Sequence, residues 1–147
     1  MQERFETFTV LINRISRDIR KIKNQEMAAY HLRSIHVSCL YYIYSLGSVT
    51  SAELCEHCEE DKATISRAVD YLETNGFLLR DAGAKRYKSP LLLTEKGRDT
   101  GKRIAEKIDG VLETISHALT EEERIEFYRS LSTISRSLEA IVQNSEE

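Results

Sequence analysis

No stretch of this chain is long and apolar enough to cross a bilayer, which takes roughly 20 such residues in a helix. The opening Met1-Gln-Glu-Arg-Phe-Glu6 has no apolar signal-peptide core behind it. Cysteine is scarce: three residues, an odd number without the spacing of a small disulfide scaffold, which suits a reducing compartment. A cytoplasmic protein with no membrane association is expected. The usual signatures of catalysis are missing as well. There is no phosphate-cradling glycine loop, no nucleophile elbow and no HExxH pair, and the carboxylates are scattered over solvent faces. No enzyme and no cofactor are expected. Metal sites fare no better. Cys55 and Cys58 share a helix face while His57 points elsewhere, an incomplete zinc set, and His31 and His36 lack the i, i+4 spacing of a helical metal pair. These cysteines, and Cys39, are read as core residues.

What is present is a chain of 147 residues, 31% charged and 41% hydrophobic, enough for one helix-rich soluble domain or a small module with a dimerisation layer. A net charge of −3 gives no overall pull toward nucleic acid, but it is unevenly spread. Residues 62–103 carry ten cations against five anions, a local +5 that leaves −8 for the rest. A basic module on an acidic body suits a protein that meets phosphate with one face.

Apolar residues set the layout. Phe5, Phe8, Ile12, Ile15, Ile19 and Ile22 step by threes and fours, which predicts a first helix over 5–26 with a narrow seam that needs a partner helix. A second helix is expected over 32–46, with Ile35, Cys39, Leu40, Ile43 and Leu46 inward and Gly47 ending it. Thr50 and Glu53 make a capping box for a short third helix from Ser51 to Cys58. Glu59-Glu60 turns the chain, and Asp61 caps the next helix at once. In that helix Ile65, Ala68, Val69 and Leu72 form one apolar face, and Asn75-Gly76 closes it. Lys62, Thr64, Ser66 and Arg67 are left outward near its start, hydroxyls and cations without a carboxylate among them. Such a helix can lie in a DNA major groove.

Two short helices joined by so tight a turn form a helix-turn-helix. Phe77–Arg80 and Ser89–Thr94 read as strands about a cationic turn over 81–88, and Pro90 makes this an edge hairpin, a wing. Thr94 caps a helix over 95–117, in which Gly97 and Gly101 allow close approach to the wing or to the second helix. Thr120 and Glu123 open a last helix, whose apolar positions Phe127, Tyr128, Leu131, Ile134, Leu138 and Ile141 repeat near every 3.5 residues. The expected fold class is mainly α with a small β-hairpin wing. Residues 1–30 are the N-terminal dimerisation helix, 31–100 the winged helix-turn-helix DNA-binding module, and 101–147 the C-terminal helices that complete the dimerisation layer. Phe8, Ile12, Ile15, Ile19, Leu131, Ile134, Leu138 and Ile141 are the expected dimer contacts.

Val49-Thr-Ser-Ala-Glu-Leu54, the block from Asp61 to Leu78, and Leu92-Leu-Thr-Glu-Lys-Gly-Arg98 together resemble the MarR family of winged helix-turn-helix transcriptional regulators. Their order and spacing fit across residues 30–105, and the long flanking helices extend the fit to nearly the whole chain. The resemblance implies a homodimer on double-stranded DNA, with Lys62, Thr64, Ser66 and Arg67 as recognition positions. Thr50 and Ser51 would hold phosphate, and Lys85, Arg86, Tyr87 and Lys88 would form the wing tip. It also implies a repressor of a pseudo-palindromic operator, relieved by a small-molecule or stress signal, with Tyr41, Tyr42 and Tyr44 near the cleft where relatives bind effectors. Two positions depart from the family. Lys85-Arg86-Tyr87 lacks the acid that usually braces the wing arginine, and Glu60 replaces an aliphatic residue. The alternatives are a winged-helix protein–protein module, which has no use for the basic wing and the Thr64/Ser66/Arg67 face, or a thiol- or metal-sensing version of the regulator.

Overall fold

The structure, a computed structural model, describes residues 2–79 and 86–145. Among these residues six α-helices carry the fold: α1 Gln2–Met27, α2 Ser34–Leu46, α3 Ser51–Cys58, α4 Lys62–Thr74, α5 Glu95–His117 and α6 Glu121–Asn144. Short 3-10 helices occupy Ala28–Tyr30 and Arg86–Lys88. The architecture is mainly helical, and no helix is long and apolar enough to cross a membrane among the described residues.

Local chemistry explains where the helices begin. Thr50 Oγ1 accepts from the Glu53 backbone N–H at 3.1 Å while Glu53 Oε2 accepts from Thr50 N–H at 2.9 Å, a reciprocal capping box. The same exchange joins Thr120 and Glu123 at the start of α6. Asp61 Oδ1 accepts from Thr64 N–H at 2.7 Å and starts α4. Between α3 and α4 the chain turns on Glu59, a non-glycine residue in the left-handed region at φ 52°. Glu60 N–H then donates to Cys55 O at 3.0 Å and closes the end of α3.

Contacts divide the chain into two compact units, Met1–Ala105 and Glu106–Glu147. In the first, Leu40 and Ile43 of α2, Leu54 of α3, and Ile65, Val69 and Leu72 of α4 form a core with Phe77, Leu78 and Ile104. The α4 face is the one its periodicity predicts. On α2 the inward set differs. His36 and Val37 are buried, Ile35 is half-buried, and Leu46 is 52% exposed in the last turn. The helix is apolar on most sides, so periodicity alone does not select its face. Cys39 is buried, but Cys55 and Cys58 are only half-buried rather than core residues.

The two strands expected at 77–80 and 89–94 do not form a continuous ladder among the described residues. They leave isolated antiparallel bridges, Leu78 with Leu93 and Thr50 with Pro90. Leu79 N–H donates to Leu92 O at 2.9 Å, and Leu91 N–H donates to Val49 O at 2.8 Å. The return arm therefore also pairs with the segment before α3. Pro90 has no N–H to extend the pairing, and Arg86–Lys88 spend three residues in a 3-10 helix instead of the predicted turn. The central part of that turn, 80–85, lies outside the described residues.

Gly97 and Gly101 set the first half of α5 against this core. A Cβ on Gly97 would stand 1.9 Å from Phe77 O, and one on Gly101 would stand 2.7 Å from Tyr44 Cβ. Only hydrogen fits at either place. In the second unit, α6 is a 24-residue helix that buries none of its side chains within the chain.

Candidate nucleic-acid interface

The α3–turn–α4 unit presents the start of α4 to solvent. Lys62, Ser66 and Arg67 are exposed and Thr64 is half-buried between them. Arg67 Nη2 donates to Thr64 Oγ1 at 3.4 Å, a long contact that leaves the guanidinium free to turn outward. Asp61 stands at the edge of this face. Hydrogen bonds from the Thr64 backbone and hydroxyl hold its carboxyl below the usual carboxylate range, with a smaller contribution from Arg67. It remains an anion that braces Thr64.

Behind this face α4 is tied to the start of α2. The Tyr71 and His36 rings stack at 4.2 Å between centroids with planes 13° apart, and Tyr71 O–H donates to His31 O at 2.5 Å. Arg33 N–H donates to His36 Nδ1 at 3.0 Å, so the imidazole caps its own helix. Burial, and then the nearby Arg33 guanidinium, hold the His36 pKa below its usual value. Arg33, His36, Thr64, Arg67 and Tyr71 share the wall of an open groove of about 710 Å³. Nothing in the sequence pattern announces this arrangement, because it joins residues from two segments far apart in the sequence.

At the start of α3, Thr50 is half-buried and Ser51 is only 4% exposed. The Ser51 hydroxyl therefore does not face outward as expected. What that helix end offers a phosphate is its unpaired backbone N–H groups. Of the expected wing tip, Lys85 and the Arg86 side chain lie outside the described residues, and Lys88 is exposed. Tyr87 turns inward: its hydroxyl lies 3.4 Å from Cys55 Sγ, and Lys62 Nζ sits 4.5 Å from the centre of its ring.

Tyr41, Tyr42 and Tyr44 are half-buried. Tyr42 lies between Tyr41 at 5.2 Å, edge-on, and His57 at 5.1 Å, stacked. No cluster of three or more His, Cys, Asp or Glu side chains is placed to hold a metal among the described residues.

The sequence profile of the MarR family matches residues 32–86, from the start of α2 into the wing. Over these residues the chain is similar to a MarR family domain. A curated relative, an uncharacterized HTH-type transcriptional regulator named YwoH from Bacillus subtilis, is 28% identical over 85 residues. That alignment takes in 58% of this chain and 62% of the relative, so the match spans about three fifths of the relative's length. The MarR fold extends further than the profile. NMB1585, a MarR family regulator from Neisseria meningitidis, superposes with a TM-score of 0.81 over 97% of this chain and 98% of its own, at 18% identity. S. aureus MepR in complex with DNA matches with a TM-score of 0.77 over 89% of this chain and 97% of its own, at 19% identity. The Mycobacterium tuberculosis MarR family protein Rv2887, complexed with p-aminosalicylic acid, matches at 0.60 over 86% and 97%, at 24% identity.

Proposed function

We propose that this chain is a MarR family, DNA-binding transcription regulator: a homodimeric repressor of a pseudo-palindromic operator, relieved by a small-molecule or stress signal. The observation that carries the reading is the outward start of α4, where Lys62, Ser66 and Arg67 are exposed around Thr64 on a rigid helix-turn-helix. Arg67 and Thr64 read bases. Thr50 and the backbone N–H of Ser51 meet phosphate, and Lys62 adds positive charge at the α4 start. Residues 77–94 act as a β-hairpin wing, with Lys85, Arg86 and Lys88 beside the neighbouring minor groove. Residues 1–30 and 101–147 supply the dimerisation layer. Its contacts are Phe8, Ile12, Ile15 and Ile19 of α1 with Leu131, Ile134, Leu138 and Ile141 of α6. The protein is not an enzyme and works where the DNA is, in the cytoplasm.

Two of the structural likenesses support the parts of this reading. MepR is seen with DNA, and Rv2887 with a small aromatic acid. The test is a mobility shift on the DNA upstream of the protein's own gene, with a salt series and an Arg67→Ala variant. Binding that falls steeply with salt, and loses about 1–3 kcal/mol at the operator in the variant, is expected. An equal loss on every sequence would reduce Arg67 to a phosphate contact. Binding no tighter than to random DNA, followed by a random-sequence selection that enriches nothing, would point to a protein partner instead.

One observation favours a thiol as the signal-receiving group. The neighbouring Cys39, aided by Lys23, holds the half-buried Cys58 thiol below its usual pKa, whereas Cys58 and burial push the Cys39 thiol up. Peptide mass spectrometry after mild peroxide treatment decides it. Oxidation at Cys58 that releases DNA supports a thiol signal, and unchanged binding removes it.

A further inference from the structure

In the sequence Tyr87 reads as a fourth wing-tip contact to DNA. Its surroundings argue otherwise. The 3-10 helix Arg86–Lys88 packs against α3, and Tyr87 is half-buried there while Lys88 beside it is exposed. Its hydroxyl, the one polar handle a tyrosine could offer a phosphate, lies 3.4 Å from Cys55 Sγ on α3. One face of its ring is covered by the Lys62 ammonium, 4.5 Å from the centroid. Lys62 is the first residue of α4. One side chain therefore joins three parts of the interface: the returning arm of the wing, the third helix and the recognition helix.

We propose that Tyr87 is a positioning residue of the DNA interface, which docks the wing arm on Cys55 and holds Lys62 at the start of the recognition helix. The inference rests on the DNA-binding reading and sharpens it. A lysine side chain is long and costly to immobilise, carrying rotamer entropy that is lost whenever it is fixed against a phosphate. A ring that already confines the ammonium removes part of that loss before DNA arrives. The hydroxyl–thiol contact fixes where the ring stands. Tyr87 thus acts on DNA affinity through Lys62 rather than by touching DNA.

Two measurements on the full chain test this. The first uses no DNA: iodoacetamide labelling of each cysteine, resolved by peptide mass spectrometry, in wild type, Tyr87→Phe and Tyr87→Leu. Cys55 should label several-fold faster in both variants while Cys58 keeps its wild-type rate, which also shows that the fold is intact. An unchanged Cys55 rate overturns the docking. The second is a double-mutant cycle by fluorescence anisotropy on operator DNA, pairing Tyr87→Leu with Lys62→Ala. Tyr87→Leu should weaken binding roughly two- to fivefold when Lys62 is present. It should do so far less when Lys62 is absent, and Tyr87→Phe, which keeps the ring, should retain most of the affinity. Additive losses in the cycle would make Tyr87 an independent DNA contact and overturn the proposal while leaving the regulator reading intact. A wild-type protein that binds no DNA would remove both.

Discussion

Gly97→Ala is the substitution for which the structure gives the sharpest forecast. An added Cβ would lie 1.9 Å from Phe77 O, 2.9 Å from Phe77 C and 3.2 Å from Leu93 Cδ2, against about 3.4 Å for ordinary contact. The obstacle is backbone, so no rotamer change relieves it. Phe77 O is also engaged: it accepts from Thr94 N–H at 3.1 Å and lies 3.2 Å from Thr94 Oγ1, whose hydroxyl donates more closely to Gly76 O at 2.6 Å. Thr94 Oγ1 in turn accepts from Gly97 N–H at 3.0 Å and so caps α5. Overpacking typically costs about 1–3 kcal/mol, and weakening two hydrogen bonds adds about 1–2 kcal/mol. Alanine's better helix propensity returns about 1 kcal/mol, so a net loss of about 1–4 kcal/mol is expected. Gly110→Ala is the matched control on the same helix. Nothing lies within 4 Å of its added Cβ, and it should gain about 0.5–1 kcal/mol. Urea denaturation at one fixed protein concentration gives both numbers. If Gly97→Ala and Gly110→Ala shift the midpoint in the same direction, the close approach of α5 to Phe77 is wrong.

His36 should make stability depend on pH. Its folded pKa is lowered, so below about pH 6.5 the unfolded chain takes up a proton that the folded chain resists. Stability should therefore be full above that pH and fall as the pH drops from there toward the lowered folded value. A His36→Asn variant, compared by urea midpoints between pH 7.5 and 5, should lose this component, and an unchanged slope would refute it. Glu59→Gly relieves a left-handed residue at φ 52° and should stabilise by about 0.5–1 kcal/mol, measured the same way. Leu138→Glu should convert the proposed dimer to monomer in sedimentation while leaving helix content largely in place, since Leu138 is 51% exposed in the single chain. A variant that stays dimeric would remove α6 Leu138 from the interface.

The parts of the fold legible in the sequence are those whose causes are local. Thr50 with Glu53, Thr120 with Glu123, and Asp61 with Thr64 each span three residues, and each marks a helix start where the capping rules place it. The apolar face of α4 follows the same logic, and its complement is the candidate recognition face. Legibility fails where contacts are long-range or where pattern does not discriminate. Glu59 supplies a left-handed turn without glycine or asparagine, and no residue preference advertises that. The wing arm's pairing with Val49 joins residues far apart in sequence, and the predicted strands shrink to isolated bridges because hairpin pairing depends on such partners. Tyr87 is the clearest case at the site. Its neighbours Lys85, Arg86 and Lys88 make it look like a member of a basic tip, yet its contact with Cys55 spans 32 residues and turns it inward.

The single chain leaves α6 and the apolar seam of α1 uncovered. A helix with no fully buried side chain draws little from tertiary packing, which supplies most helical stability in proteins. The seam on α1 is in the same position: Ile12, Ile15 and Ile19 are 37%, 49% and 47% exposed. Neither seam has the scattered look of ordinary surface apolar residues, because both repeat at helical spacing. In the proposed homodimer a second copy would bury both, and the stability of these helices would then depend on protein concentration. The same coupling gives regulation a physical handle. If the helices that bury these seams also set the distance between two recognition helices, a signal need only favour one packing of the seams over another. It does so only to the extent that it binds the two packings with different free energies.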